Sequence, residues 1–167
     1  TIDVYRNTNW KIAHFGRACQ NMLSRMYNHE TVSIGTNGLV TNKGMAIELP
    51  SGLLMRYDDL SFQQGERGRE FDYKTRNGRT RIYGGKVTEN ICQAIARCII
   101  GEQLLDIAKK YKVVLTVHDS IVCCVPKEEI FEARNYIETC MRKVPSWAEG
   151  LPLDCESGVG KSYGACE

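Results

Sequence analysis

The sequence predicts an α+β fold, an antiparallel sheet with helices packed on it. Three observations predict it. Apolar residues recur at helical spacing over 8–28, 87–111 and 127–143. Short β-type runs broken by turn formers fill 31–57. Two segments, 71–85 and 112–126, read as hairpins lying between helices. The predicted order is helix, strands, hairpin, long helix, hairpin, helix, strand.

Composition agrees with one globular domain spanning 1–167. With 43% hydrophobic and 25% charged residues, the chain is neither a disordered tail nor a collagen-like fibre. No apolar run approaches the roughly 20 residues that a membrane span needs. Lys+Arg is 22 and Asp+Glu is 20, a net +2, so any affinity for nucleic acid must come from a local basic surface. Thr1 opens the chain with no basic, apolar leader behind it, so export is not expected and a cytoplasmic setting is.

The first helix, 8–28, carries Trp10, Ile12, Phe15, Cys19, Met22, Leu23 and Met26 inward, with Thr8 or Asn9 as cap. From 31 to 57, Val32, Ile34, Leu39, Val40 and Ile47 sit among Gly35, Asn37, Gly38, Asn42 and Gly44, which predicts strands and turns. A Pro50-Ser51-Gly52 turn then leads into a short strand ending at Tyr57. Residues 58–70 are polar and predict a loop. Asn77-Gly78 centres the next hairpin. Lys74, Arg76, Arg79 and Arg81, with Tyr73 and Tyr83 interleaved, make it the one local basic cluster. That cluster fits a solvated hairpin and phosphate contact equally well.

The long helix, 87–111, places Val87, Ile91, Ala94, Ile95, Cys98, Ile99, Leu105 and Ala108 on a broad apolar face and should be heavily buried. Its polar stripe is Glu89, Gln93 and Arg97, spaced i, i+4, i+8. Two apolar runs, 113–117 and 121–125, then flank His118-Asp119-Ser120, which predicts a buried hairpin. Tight hairpins favour Asn-Gly, Asp-Gly or Gly-X at the tip, and here an imidazole and a carboxylate stand there. A buried carboxylate is costly unless hydrogen-bonded, paired or bound to a cation. Asp119 is therefore either a functional carboxylate or a turn stabiliser. The last helix, 127–143, turns Ile130, Phe131, Ala133, Ile137, Cys140 and Met141 inward.

Eight cysteines without a CxxC or zinc-finger spacing read as small buried hydrophobes in a reducing compartment. Cys92, Cys98 and Cys140 fall on apolar helix faces, and Cys123 and Cys124 continue an apolar strand. Gly160-Lys161-Ser162 imitates the end of a phosphate-binding loop, but Cys155 occupies the required glycine position.

Several blocks in order resemble one family. Val114-Leu-Thr-Val-His-Asp-Ser120 resembles motif C of the family A DNA polymerases, where an apolar strand ends in Val-His-Asp-Glu. Residues 83–98 (YGGKVTENICQAIARC) are similar to the helix before motif C in the phage branch of that family. Residues 144–164 (VPSWAEGLPLDCESGVGKSYG) resemble the carboxyl end of those enzymes, and VYRNTNWKI and LPSGLLMRY also fit. The resemblance implies the carboxyl-terminal part of the palm of a right-hand polymerase. It further implies template-directed nucleotidyl transfer by two Mg²⁺ ions, on primer–template DNA and deoxynucleoside triphosphates, in a bacterial host's cytoplasm if phage-encoded. Asp119 carries over as metal ligand and catalytic residue, and His118 as the histidine near the primer terminus. Gln93 matches a glutamine reading the minor groove, and Lys86, Arg81 and Arg97 are candidates for backbone phosphates.

Two departures qualify the likeness. Ser120 stands where motif C has Glu, so that carboxylate's role is lost or supplied elsewhere. The motif A aspartate and the triphosphate-gripping Lys and Tyr belong upstream of the first matching block; Asp59-Leu60-Ser61 imitates motif A out of place. The expectation is a chain carrying half of the metal site, inactive until joined to an upstream polymerase segment. The rival readings are a non-catalytic nucleic-acid-binding or assembly module that keeps the palm fold, and a metal- or thiol-dependent enzyme using His118, Asp119 and Cys123.

Overall fold

A computed structural model describes residues 2–65 and 68–166 and shows an α+β chain with antiparallel sheets. Its contacts gather into two compact units, residues 1–95 and 96–167. Among the described residues no helix is long and apolar enough to cross a membrane.

In the first unit the helix predicted over 8–28 is α2 (Trp10–Tyr27), and a further helix that the sequence reading did not include, α1 (Ile2–Thr8), precedes it. They break at Asn9, whose side-chain amide donates back to the Tyr5 carbonyl (3.1 Å) instead of capping α2. Cys19, Met22, Leu23 and Met26 are fully buried at i, i+3, i+4, i+7, one stripe of a helix face. Trp10 (60% exposed) and Ile12 (54%) are not buried, against the expectation; Ile12 shares the stripe, but full burial along it begins only at Cys19.

Four short strands follow: β1 (Ser33–Ile34), β2 (Val40–Lys43), β3 (Ala46–Glu48) and β4 (Leu54–Arg56). They pair antiparallel in sequence order. Lys43 pairs with Ala46, so Gly44-Met45 is a two-residue turn, and Gly44 takes φ +58 without a Cβ penalty. Asn42 is buried and satisfied: it accepts from the Val32 amide (2.7 Å) and donates to the Glu30 carbonyl (2.9 Å), tying the segment after α2 to β2.

The predicted loop at 58–70 is largely strand. β5 (Ser61–Gly65) pairs with β6 (Gly68–Thr75), and only residues 66 and 67 of that segment lie outside the described ones. Gln63 and Gln64 hid the alternation, but Phe62 packs on Phe71 (centroids 6.2 Å) and edge-on to Tyr27 (4.7 Å), so packing overrides local propensity. β6 and β7 (Gly78–Ile82) form the expected hairpin, one residue out of register. Thr75 pairs with Gly78, so the turn is Arg76-Asn77 and Gly78 (φ +113) follows it, another common hairpin closure.

α3 (Gly84–Ala108) begins and ends three residues before the predicted span. Val87, Ile91 and Cys98 are buried on one side, and Ile99, Gln103 and Ile107 on another side of the later turns. Leu105 is 65% exposed, and Ala108 and Cys92 are exposed too, so the broad apolar face is narrower than expected. At its start α3 meets α2 at very close range, with the Gly84 amide donating to Gln20 Oε1 (2.6 Å).

The second unit holds the rest of α3, a hairpin of β8 (Lys112–Val117) and β9 (Ser120–Cys124), α4 (Ile130–Met141) and the tail. Lys127–Glu129 is a 3-10 turn, which delays α4 relative to the sequence reading. Phe131, expected inward, is 79% exposed. The tail forms 3-10 turns and, among its described residues, not the predicted final strand. α3 and α4 are joined by Gln103 Nε2 to the Met141 carbonyl (2.5 Å), Tyr136 hydroxyl to the Asp106 carbonyl (3.0 Å) and an edge contact of Tyr111 on Tyr136.

Two carboxylates organise this unit's charge. Hydrogen bonds from Lys109 and then Lys143 hold Asp106 down to about 2. Ser157, Arg142 and Arg134 do the same to Glu138, also to about 2, and strap the tail to α4. Both folded values lie below the ordinary unfolded ones near 4. Their stabilisation is therefore complete above about pH 5 and is lost as pH falls towards 2. Thermal melts between pH 5 and 2 should show stability falling, and Glu138→Gln should flatten that dependence. An unchanged slope in the variant would remove Glu138 as a cause.

Candidate functional site

His118 and Asp119 form the two-residue turn of the β8–β9 hairpin, because Val117 pairs with Ser120. His118 takes φ +54 while Asp119 does not, the sign pattern of a type II′ turn. That position favours glycine; a β-carbon there costs on the order of 1 kcal/mol, so the fold itself does not ask for histidine.

The expected burial of this hairpin is not what the structure has. No residue of β8 or β9 is buried, and Val114 and Leu115 are 50% and 46% exposed. A register shift between Val113 and Leu115 leaves Val114 as an extra, bulged residue. A two-stranded sheet has two faces and two edges, and the apolar composition of its strands did not reveal how few layers this unit supplies. His118, Asp119 and Ser120 are all exposed. Asp119 is therefore not the buried carboxylate that the sequence predicts. What remains is position: Asp119 stands at the exposed turn and, among the described residues, has no ion pair or hydrogen-bond partner, leaving both oxygens available.

Cys123 is half-buried, and burial pushes its thiol up, the wrong direction for a nucleophile. Cys124 is exposed on the neighbouring, opposite-facing strand position.

A second constellation runs along α3. Lys86, Glu89 and Gln93 are exposed and successive turns of the first unit's part of the helix bring them to one side. Lys86 Nζ pairs with Glu89 Oε2 (2.9 Å) and Gln93 Nε2 reaches Glu89 Oε1 (3.4 Å), so Glu89 links the two. Hydrogen bonding to Glu89 raises the Lys86 ammonium, keeping it charged. Arg97, one turn further on and within the second unit, has no ion pair among the described residues. Lys86 and Gln93 lie in the first unit, His118 and Asp119 in the second.

Arg81 belongs elsewhere: it pairs with Glu70 on the sheet. Arg79 is likewise consumed, by Asp72, by Asp59 Oδ2 (2.6 Å) and carbonyl (2.7 Å), and by the Ser61 hydroxyl (2.8 Å). This clamp explains how Asp59 is held at φ +52, and gives the Asp59-Leu60-Ser61 segment a structural task. Of the basic cluster, Lys74 and Arg76 alone lack an ion pair among the described residues. A depression of about 630 Å³ in the second unit is lined by Lys109, Arg142 and Lys143, but each already binds a carboxylate. Among the described residues no group of three or more His, Cys, Asp or Glu side chains could hold a metal ion.

The exposed carboxylate on the hairpin tip and the polar stripe on the long helix do not by themselves name a partner, and comparison with known sequences supplies a context. The chain is related to phage DNA polymerases. It is 35% identical over 125 residues to a DNA polymerase of Bacillus phage SP02, a match covering 70% of this chain. It is 26% identical over 83 residues, 46% of this chain, to a DNA polymerase of Bacillus phage SP01. The matches span 19% and 9% of those two polymerases. No protein-family model and no solved structure matches the chain.

Proposed function

We propose that this chain is the motif C part of the palm of a family A, phage-type DNA polymerase, active in template-directed nucleotidyl transfer together with an upstream segment. The observation that carries this reading is the unpartnered Asp119 beside His118 at an exposed hairpin tip, in a chain related to polymerases. Mg²⁺ is commonly bound by one or two carboxylates, with substrate phosphates and water completing its shell. Asp119 fits as one such ligand, Ser120 adds no charge, and on this reading the second carboxylate is supplied by the upstream segment. When bound, a pair of such ions supplies charge stabilisation to the attacking and leaving oxygens. His118 stands next to Asp119 to contact the primer end, and the α3 stripe contacts duplex DNA through Lys86, Gln93 and Arg97. Arg81, paired with Glu70, is a weaker candidate for phosphate than the sequence suggested.

Primer extension with Mg²⁺ and all four nucleotides tests this, run on the chain alone and with the upstream polypeptide. Extension only by the combination is the expected result. Extension by the chain alone would mean a second carboxylate lies within it. No extension under any pairing would favour a non-catalytic DNA-binding module.

A further inference from the structure

Buried Val87 and Ile91 set the rotation of the first half of α3, and one buried side chain adds a polar tether beside them. Tyr57, directly after β4, is 1% exposed, and its hydroxyl accepts from Asn90 Nδ2 at 3.0 Å. The ring is fixed by an edge contact with Tyr73 (5.0 Å). Asn90 is half-buried and stands four residues after Lys86 and three before Gln93, the spacing at which helix side chains are neighbours. It thus marks the boundary between the buried face, Val87 and Ile91, and the exposed stripe. A further tether of this part of the helix, Gln20 Oε1 accepting from the Gly84 amide, lies one to two turns earlier, at the helix start.

We propose that Tyr57 is a positioning residue for DNA contact, acting through its hydroxyl on Asn90 to hold Lys86 and Gln93 towards the duplex. The role rests on the DNA-contact reading of the stripe. Removing the hydroxyl frees Asn90 to seek water, so the segment carrying Lys86 and Gln93 loses its polar tether while its apolar face stays packed.

The test is affinity of the 167-residue chain for a fluorescent primer–template duplex, measured by anisotropy, with melting temperature recorded for every variant. Tyr57→Phe should weaken binding about fivefold, the fold-change of one lost hydrogen bond. In a Gln93→Ala, Lys86→Ala background the same change should cost less than about twofold, since the groups it positions are gone. Effects on melting temperature should simply add. Asn90→Ala removes the bond from the helix side and should show the same coupling. Equal weakening by Tyr57→Phe in both backgrounds, or none in either, overturns the positioning role. Unchanged affinity on removing Lys86 and Gln93 overturns the DNA-contact reading and this inference with it, a pattern distinct from the first.

Discussion

Asp119→Asn should reduce primer extension by the reconstituted polymerase on the order of a thousandfold or more, the scale at which loss of a transition-state charge stabiliser is felt. The substitution keeps the shape of the side chain and removes only its charge. Asn suits a hairpin tip as well as Asp does. Asp119 is exposed and has no ion pair among the described residues, so stability should change by no more than about 0.5 kcal/mol. Loss of activity at unchanged melting temperature and unchanged duplex affinity is the expected combination. Extension within about tenfold of the unsubstituted protein would show that Asp119 is a turn residue. The neighbouring residue argues against that outcome. A tip selected for folding alone would place glycine or asparagine at φ +54, where His118 now stands.

The tip itself was legible in sequence because two apolar runs of strand length bracket a charged dipeptide, and hairpin register follows from turn length. Its exposure was not legible. Apolar strand composition reports what the strands want to bury, not how many layers the chain supplies, and Val114 and Leu115 remain about half exposed. The stripe Glu89-Gln93-Arg97 could be read directly, since helical spacing decides which side chains share a side. The Tyr57–Asn90 bond could not, because its partners are separated by |i−j|=33 and neither residue type announces it. The same holds for β5, whose glutamines concealed a strand that exists through Phe62 packing on Phe71 and Tyr27. Arg79 and Arg81 read as free basic charge until their acidic partners across the sheet, Asp72 and Glu70, were placed. Local pattern gives elements and faces; long-range pairing decides which charges are left over for a ligand.

Gly84→Ala should be the most destabilising single methyl addition in the first unit, and its sign opposes helix propensity. Ala is favoured over Gly by about 1 kcal/mol in a helix interior and by less at the first residue, where Gly84 stands. At Gly84 a Cβ would stand 2.2 Å from the Gly16 carbonyl oxygen and 2.9 Å from Gln20 Cβ. The first of these is backbone and cannot swing aside, so α2 and α3 must separate. Overpacking of that kind costs about 1–3 kcal/mol, and separation also breaks the Gln20 bond to the Gly84 amide. The expected net is a loss of about 2 kcal/mol, a fall of roughly 4–8 °C in melting temperature for a chain of this size. Two glycines supply the controls. Gly101→Ala, on the same helix with nothing within 4 Å of the added carbon, should be neutral or stabilising by up to about 1 kcal/mol. Gly16→Ala, on the facing helix, meets only Thr88 Oγ1 at 3.9 Å and should be near neutral. If Gly84→Ala melts at or above the unsubstituted protein, the two helices do not approach as closely as their backbones indicate. If it melts lower and duplex affinity falls with it, the first turn of α3 sets the placement of Lys86 and Gln93 as well as the stability of the unit.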